Sequence, residues 1–280
     1  MPLDPADRGQ LFDLLYRHRT TLKHRFGQNF LVDHVLRDEI AAATGATEDD
    51  DVLEVGAGVG TLTIALARRA RRVVAVELDR TLIPALREVV RDEPRIEVVE
   101  ADILRYDTRA AFPAGGEIVA GNIPYNLTGA LLRKLLDEPP RPRRLSLVVQ
   151  KEVAERWTAP TGAGVSTIAV QVFAEARMLM TIPASVFEPQ PQVDSALVTV
   201  EVRPEPAVHV NDIDSFLRFV EAVFQQRRKQ LAGTLGRMNG LGSTAAAARL
   251  RDAGIDPERR PQTLSLQEWE SVYRLFAYPS

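Results

Sequence analysis

The sequence predicts an α/β fold: a mostly parallel sheet covered by helices on both faces, followed by a smaller all-helical domain. Three observations predict it. Short β-rich runs alternate with helix-period runs from about residue 51 to 150. Two more β-rich runs flank the proline-rich stretch "FEPQPQV" (187–193), which cannot be helical. After "RPEPAV" (203–208) only helical periodicity is left.

Each element has its own justification. "DVLEV" (51–55) is a β-rich run, and "TLTIALARRA" (61–70) sets Leu62, Ala65, Leu66 and Arg69 at helical spacing. "RVVAVE" (72–77) reads as a second buried strand. "TLIPALREVV" (81–90) reads as a helix that tolerates Pro84 because it lies in the first turn. "RIEVVE" (95–100) and "GEIVA" (116–120) are the third and fourth strands, "LTGALLRKLL" (127–136) a helix, and "LSLVVQ" (145–150) the fifth strand. Such βαβ alternation implies parallel pairing with helical crossovers. "EARMLMTIP" (175–183) and "DSALVTVEVRP" (194–204) add two strands.

In the tail, Phe216, Phe219, Val220, Val223 and Phe224 form an i, i+3, i+4, i+7, i+8 stripe expected to be core. Ser265 and Glu268 stand at capping-box spacing, flanked by Leu264 and Trp269 as a hydrophobic staple. Trp269, Val272, Tyr273 and Phe276 then make an apolar helix face.

Composition sets the function classes. The 280 residues are 45% hydrophobic and 26% charged, ordinary for a globular protein with a sizeable core. Cysteine is absent, which excludes disulfides, thiolate zinc sites and thiol nucleophiles. His18, His24, His34 and His209 have no metal-ligand spacing. No apolar run approaches the ~18 residues of a membrane span, and the N-terminal stretch lacks a signal-peptide core. The expectation is a cytoplasmic protein without a metal. A net charge of −3 argues weakly against a nucleic-acid partner, yet the distribution of charge matters more than its sum. "RHRTTLKHR" (17–25) and "QQRRKQ" (225–230) are basic clusters, with Arg141, Arg143 and Arg144 as a further group.

Chemistry concentrates at the strand ends. "LEVGAGVGTLT" (53–63) joins the first strand to the first helix, and Gly56, Gly58 and Gly60 let the backbone turn sharply and approach a ligand. Thr61 stands where the dinucleotide fingerprint requires glycine, so a pyrophosphate cradle is disfavoured. Glu77 ends the second strand, where a carboxylate accepts from ribose hydroxyls, and Asp102 follows the third, where it can accept from an adenine amine. This combination resembles the S-adenosylmethionine site of Rossmann-like methyltransferases. The same order of strand, Gly-rich loop and acid also serves NAD-dependent oxidoreductases, although no His or Tyr-Lys proton donor accompanies it here.

The fourth strand ends in "GNIPYN" (121–126). It resembles the N-(I/L/P)-P-(Y/F) motif of adenine and cytosine amino methyltransferases. The resemblance implies that the Asn122 side-chain oxygen and the Ile123 carbonyl accept the two N–H bonds of an exocyclic amine. Pro124 would fix the turn, and Tyr125 would stack on the base. Enzymes that act on a base take it out of its stack, and Phe187 would be the second enclosing ring.

Further stretches extend the likeness along nearly the whole chain. "HRFGQNFLVD" (24–33), "VVQKEVAERW" (148–157), "VFEPQPQVDSALV" (186–198), "FQQRRKQLAGTLG" and "GIDPERRPQTLSLQEW" are similar to signatures of the bacterial small-subunit (16S) rRNA adenine N6,N6-dimethyltransferases, the kasugamycin-resistance family. Two positions depart from it: Ile123 where Leu is usual, and Ala163-Gly164 where Tyr-Gly is usual.

The resemblance implies an N-terminal extension (1–23), a Rossmann-like methyltransferase domain with a seven-stranded sheet (24–205) and a helical rRNA-recognition domain (206–280). It implies S-adenosylmethionine as cofactor, bound by Asn29, Leu31, Gly56, Gly58, Glu77, Asp102 and Asn122, with Asn122, Ile123, Pro124, Tyr125 and Phe187 catalytic. The substrate would be two adjacent adenines near the 3′ end of 16S rRNA in an immature small subunit, and the enzyme a monomer with a role in ribosome biogenesis. Alternatives are a large-subunit (23S) rRNA adenine methyltransferase conferring macrolide resistance, and a non-catalytic ribosome-assembly or RNA-binding factor.

Overall fold

Residues 3–20, 28–124, 127–137 and 139–277 are described in the computed structural model of the chain. The elements run α1 (Arg8–Arg17), β1 (Phe30–Leu31), α2 (His34–Ala43), β2 (Asp51–Val55), α3 (Thr61–Ala67), β3 (Arg72–Glu77), α4 (Ile83–Val89) and β4 (Ile96–Glu100). Next come α5 (Thr108–Ala111), β5 (Ile118–Asn122), α6 (Thr128–Asp137), β6 (Arg144–Gln150), α7 (Lys151–Trp157), α8 (Val165–Phe173), β7 (Ala174–Ile182), β8 (Phe187–Glu188) and β9 (Ser195–Val202). Four helices close the chain: α9 (Ile213–Phe224), α10 (Leu231–Met238), α11 (Gly242–Asp252) and α12 (Leu266–Ala277).

Seven strands form one sheet in the order β4-β3-β2-β5-β6-β9-β7. β2 pairs in parallel with both β3 and β5, β3 with β4, and β5 with β6, whereas β9 runs antiparallel to β6. The mostly parallel seven-stranded sheet is the predicted one. β2 and β3 are buried along nearly their whole length, the signature of strands covered on both faces. The chain moves outward from β2 to β4, then returns to the other side of β2 as β5. Ligands of such sheets bind at this reversal, beyond the carboxyl ends of the strands.

By internal contacts the chain divides into two compact units. One comprises Met1–Ala154 and Arg177–Val202; the other comprises Glu155–Ala176 and Arg203–Ser280. The first contains most of the sheet and a small antiparallel pair, β1 with β8, in which Phe30 lies opposite Glu188 and Leu31 opposite Phe187. In its main core, Ile40 and Ala41 of α2 and Leu66 of α3 pack with Val52, Val73, Ile118 and Val148 from four strands.

The second unit is closed by aromatic rings, as the stripe in the sequence predicts. Tyr273 makes T-shaped contacts with Phe216 and Phe219 at centroid distances of 5.4 and 5.5 Å, and Phe224 stacks on Trp269 at 5.4 Å. The capping box forms: the Ser265 N–H donates to Glu268 Oε2 (2.8 Å), and the Glu268 N–H donates to Ser265 Oγ (3.2 Å). Leu264 and Trp269 beside it are fully buried.

Candidate active site

A cleft opens at the carboxyl ends of β2, β3, β4 and β5. It is lined by Asn29, Leu31, Gly56, Gly58, Glu77, Asp102, Asn122, Pro124 and Phe187. These predicted residues, dispersed over more than 150 positions, therefore face one space. Ile123 is buried behind the lining. Tyr125 and residues 21–27 lie outside the described residues.

The glycine loop is built onto β3. The N–H groups of Gly56 and Ala57 both donate to the Val76 carbonyl, at 2.9 and 3.2 Å. Gly58 (φ +60) donates its N–H to Glu77 Oε2 at 2.8 Å, and a Cβ there would meet the Phe30 ring at 3.0 Å. Only glycine takes this backbone freely while admitting such close contact. The second carboxylate oxygen of Glu77 accepts from the Asp79 N–H at 2.7 Å. Burial raises the Glu77 pKa, and the N–H groups of Asp79 and Gly58 oppose that shift. The Leu78 N–H opposes it too, and a carboxylate's acceptor sites leave room for a further donor.

Asp79 ties this corner to the N-terminal segment. Its Oδ2 accepts from Gln28 Nε2 (2.9 Å), and its Oδ1 accepts from the Thr81 hydroxyl (2.7 Å). Asp102 is half-buried at the end of β4, with Oδ1 accepting from the Leu104 N–H at 3.0 Å.

The tip of β5 is the most tightly constrained part. The strand runs two residues further than the sequence suggests, through Gly121 and Asn122, because the ladder to β6 continues. A Cβ on Gly121 would stand 2.3 Å from the Val55 carbonyl oxygen, so the approach of β5 to β2 requires glycine. The Ile123 N–H donates to the Val148 carbonyl (3.0 Å), which carries the pairing past the last strand residue. Asn122 Nδ2 donates to the Asn29 carbonyl at 2.7 Å. This bond fixes the amide and leaves Oδ1 as the acceptor. Among the described residues, no donor reaches Oδ1 or the Ile123 carbonyl. The Asn122 side chain lines the cleft, whereas Ile123 is buried beside it.

Phe187 lies on the wall of the cleft at 1% exposure, opposite Leu31. Its ring is part of the core as well as of the lining.

Glu54 was not singled out from sequence. It is 1% exposed and lines the cleft, and burial first, then the charge of Glu77, raises its pKa to about 8, while the Thr63 hydroxyl opposes. Among the described residues, its Oε2 and the Thr61 hydroxyl have no hydrogen-bond partner. The available signal was an acid inside an otherwise apolar strand, "VLEV".

The lining has one electrostatic character. Glu77 and Asp102 face the cleft together with Glu54, whose acid is largely neutral at pH 7, and no Lys, Arg or His stands among the described lining residues. Such walls suit a cationic ligand with hydroxyls and oppose a pyrophosphate. Among the described residues, no group of three or more His, Asp or Glu could hold a metal, and no helix is long and apolar enough to cross a membrane.

Comparison with known proteins agrees with this geometry. The family model for ribosomal RNA adenine dimethylase matches residues 19–277. The chain belongs to that family. The dimethylase relatives include proteins named ribosomal RNA small subunit methyltransferase A. One from Pelotomaculum thermopropionicum is 42% identical over 274 residues, 93% of each chain. Another, from Shouchella clausii, is 40% identical over 267 residues, 91% of this chain and 90% of that one. A 23S rRNA methyltransferase, ErmE, superposes with a TM-score of 0.70 at 28% identity, over 89% of this chain and all of that one. A dimethyladenosine transferase from Plasmodium falciparum shares the fold, with a TM-score of 0.73 at 23% identity over 89% of this chain and 97% of its own.

Proposed function

We propose that the protein transfers methyl groups from S-adenosylmethionine to the N6 amines of two adjacent adenines near the 3′ end of 16S rRNA in an immature small subunit. One observation carries the cofactor assignment: a cleft with three acids and no described base, built around a glycine loop. The curated relatives, named for the small subunit, support the substrate assignment.

The residues divide the work. Glu77 would accept from the ribose hydroxyls and Asp102 from the adenine amine of the cofactor, while Asn29, Leu31, Gly56 and Gly58 enclose it. Bound there, S-adenosylmethionine supplies an electrophilic methyl group on a sulfonium. The target amine is a weak nucleophile because its lone pair is delocalised into the ring. Asn122 Oδ1 and the Ile123 carbonyl accept its two N–H bonds, reshape the nitrogen toward a tetrahedron and aim the lone pair. As positive charge builds on the nitrogen, both oxygens stabilise it without moving. Pro124, Tyr125 and Phe187 hold the ring of the extruded base. Arg227, Arg228 and Lys229, all exposed, would contribute phosphate contacts from the helical unit.

Calorimetry tests the cofactor assignment. S-adenosylmethionine should bind and NAD should not, and Glu77→Ala should weaken S-adenosylmethionine binding by about tenfold or more. Binding of NAD alone would overturn the assignment.

A further inference from the structure

Helix α1 is two-faced in an unusual way. Leu11, Leu14 and Leu15 are buried against Phe30, Val59, Leu82 and Ala85. Phe30 and Leu82 also line the cleft, so the helix forms the back of one cleft wall. Its outward face carries Arg8, Phe12 and Tyr16, successive i, i+4 positions that make one row along the helix. Phe12 is 44% exposed and Tyr16 is 85% exposed. The Tyr16 ring, this open, adds almost nothing to the fold, and Phe12 one turn away leaves nearly half of its surface exposed beside it.

The row has a direction. Arg8 Nε stands 3.6 Å from Glu188 Oε2, and Glu188 follows Phe187, a residue of the cleft wall. From Arg8 to Tyr16 the row spans about 12 Å of helix. Beyond its far end lies Arg19, exposed and without an ion pair among the described residues. Arg17 is paired to Glu88, and Asp13 is the one acid on the exposed side of the helix.

We propose that Phe12 and Tyr16 form a stacking platform for the single-stranded rRNA that flanks the target adenines. The inference rests on the rRNA reading above. Extruding an adenine strips its neighbours of a stacking partner, and exposed rings on a helix that backs the cleft wall can replace it. Stacking on a ring tolerates any base, so the row adds affinity without sequence choice. Arg19 at the far end suits a phosphate backbone, whereas Arg8 at the near end is shared with Glu188. A second copy of the chain fits less well, since two side chains fall far short of the ~1,000 Å² that a stable protein interface needs.

The test compares wild type, Phe12→Ala/Tyr16→Ala and Tyr16→Phe on immature small subunits with labelled S-adenosylmethionine. The double variant should raise KM for the subunit by about tenfold or more, with kcat and cofactor affinity within about twofold. Tyr16→Phe keeps the ring and should stay near wild type. Tyr16→Ala alone, at a side chain that supports no packing, carries the same test should the double variant lose stability. An unchanged KM overturns the proposal. So does an unchanged KM joined to a dimer-to-monomer shift in sedimentation, which would assign the row to a second copy. Failure of the wild-type protein to label the subunit would instead bring down the rRNA reading, and the platform with it.

Discussion

Glu54 presents a carboxylic acid, largely neutral at pH 7, to the cleft. Its pKa is raised to about 8 from the ordinary 4.5, so between those values the folded protein holds a proton that the unfolded chain has lost. The penalty is absent below pH 4.5, grows as pH rises through the window, and is complete above 8. Within the window this residue alone removes up to about 1.4 kcal/mol of stability per pH unit. Glu54→Gln abolishes that slope. The melting temperature of cofactor-free Glu54→Gln, minus that of wild type, should therefore climb from pH 5 to pH 8. Parallel curves would show that the acid is ionised in the fold at neutral pH. Asn122 is the contrasting case: its Nδ2 is spent on the Asn29 carbonyl and its Oδ1 is not. That asymmetry gives the residue an expected effect on turnover rather than on cofactor affinity.

Gly121 joins two elements. β5 comes so close to β2 that a methyl group would overlap the Val55 carbonyl at 2.3 Å and crowd Ile123 Cδ1 at 3.0 Å. Gly121→Ala must push the strand tip outward, at about 1–3 kcal/mol in stability. The same shift displaces Asn122 and the Ile123 carbonyl, so activity should fall further than the melting temperature implies. Normal turnover in Gly121→Ala would mean that the position of the tip is not critical. At this level the parallel strands were legible from their apolar runs, and β2 and β3 end at the predicted residues. The end of β5 was not, because glycine and asparagine read as a turn when the contact that demands glycine lies on another strand. The β1–β8 pair was equally hidden, since two-residue strands carry no periodicity and their partners are more than 150 positions apart.

For the chain as a whole, the motifs at four strand ends made the cleft readable before its geometry was known: each lies where a parallel strand must stop. Glu54 escaped because its burial depends on helices packed over both faces. The grouping of Glu155–Ala176 with the helical tail has no local signature either, as only contacts distant in sequence define it. Fold similarity also leaves the target open, since a 23S rRNA methyltransferase superposes as well as a dimethyladenosine transferase does. The decisive measurement supplies immature small and large subunits separately with labelled S-adenosylmethionine, then maps the modified nucleotides for wild type and Asn122→Ala. Wild type should place two methyl groups on each of two adjacent adenines near the 3′ end of the small-subunit RNA, and Asn122→Ala should lose about a hundredfold or more in turnover with cofactor affinity nearly unchanged. Label confined to the large subunit, or full turnover without the Asn122 amide, would contradict the account.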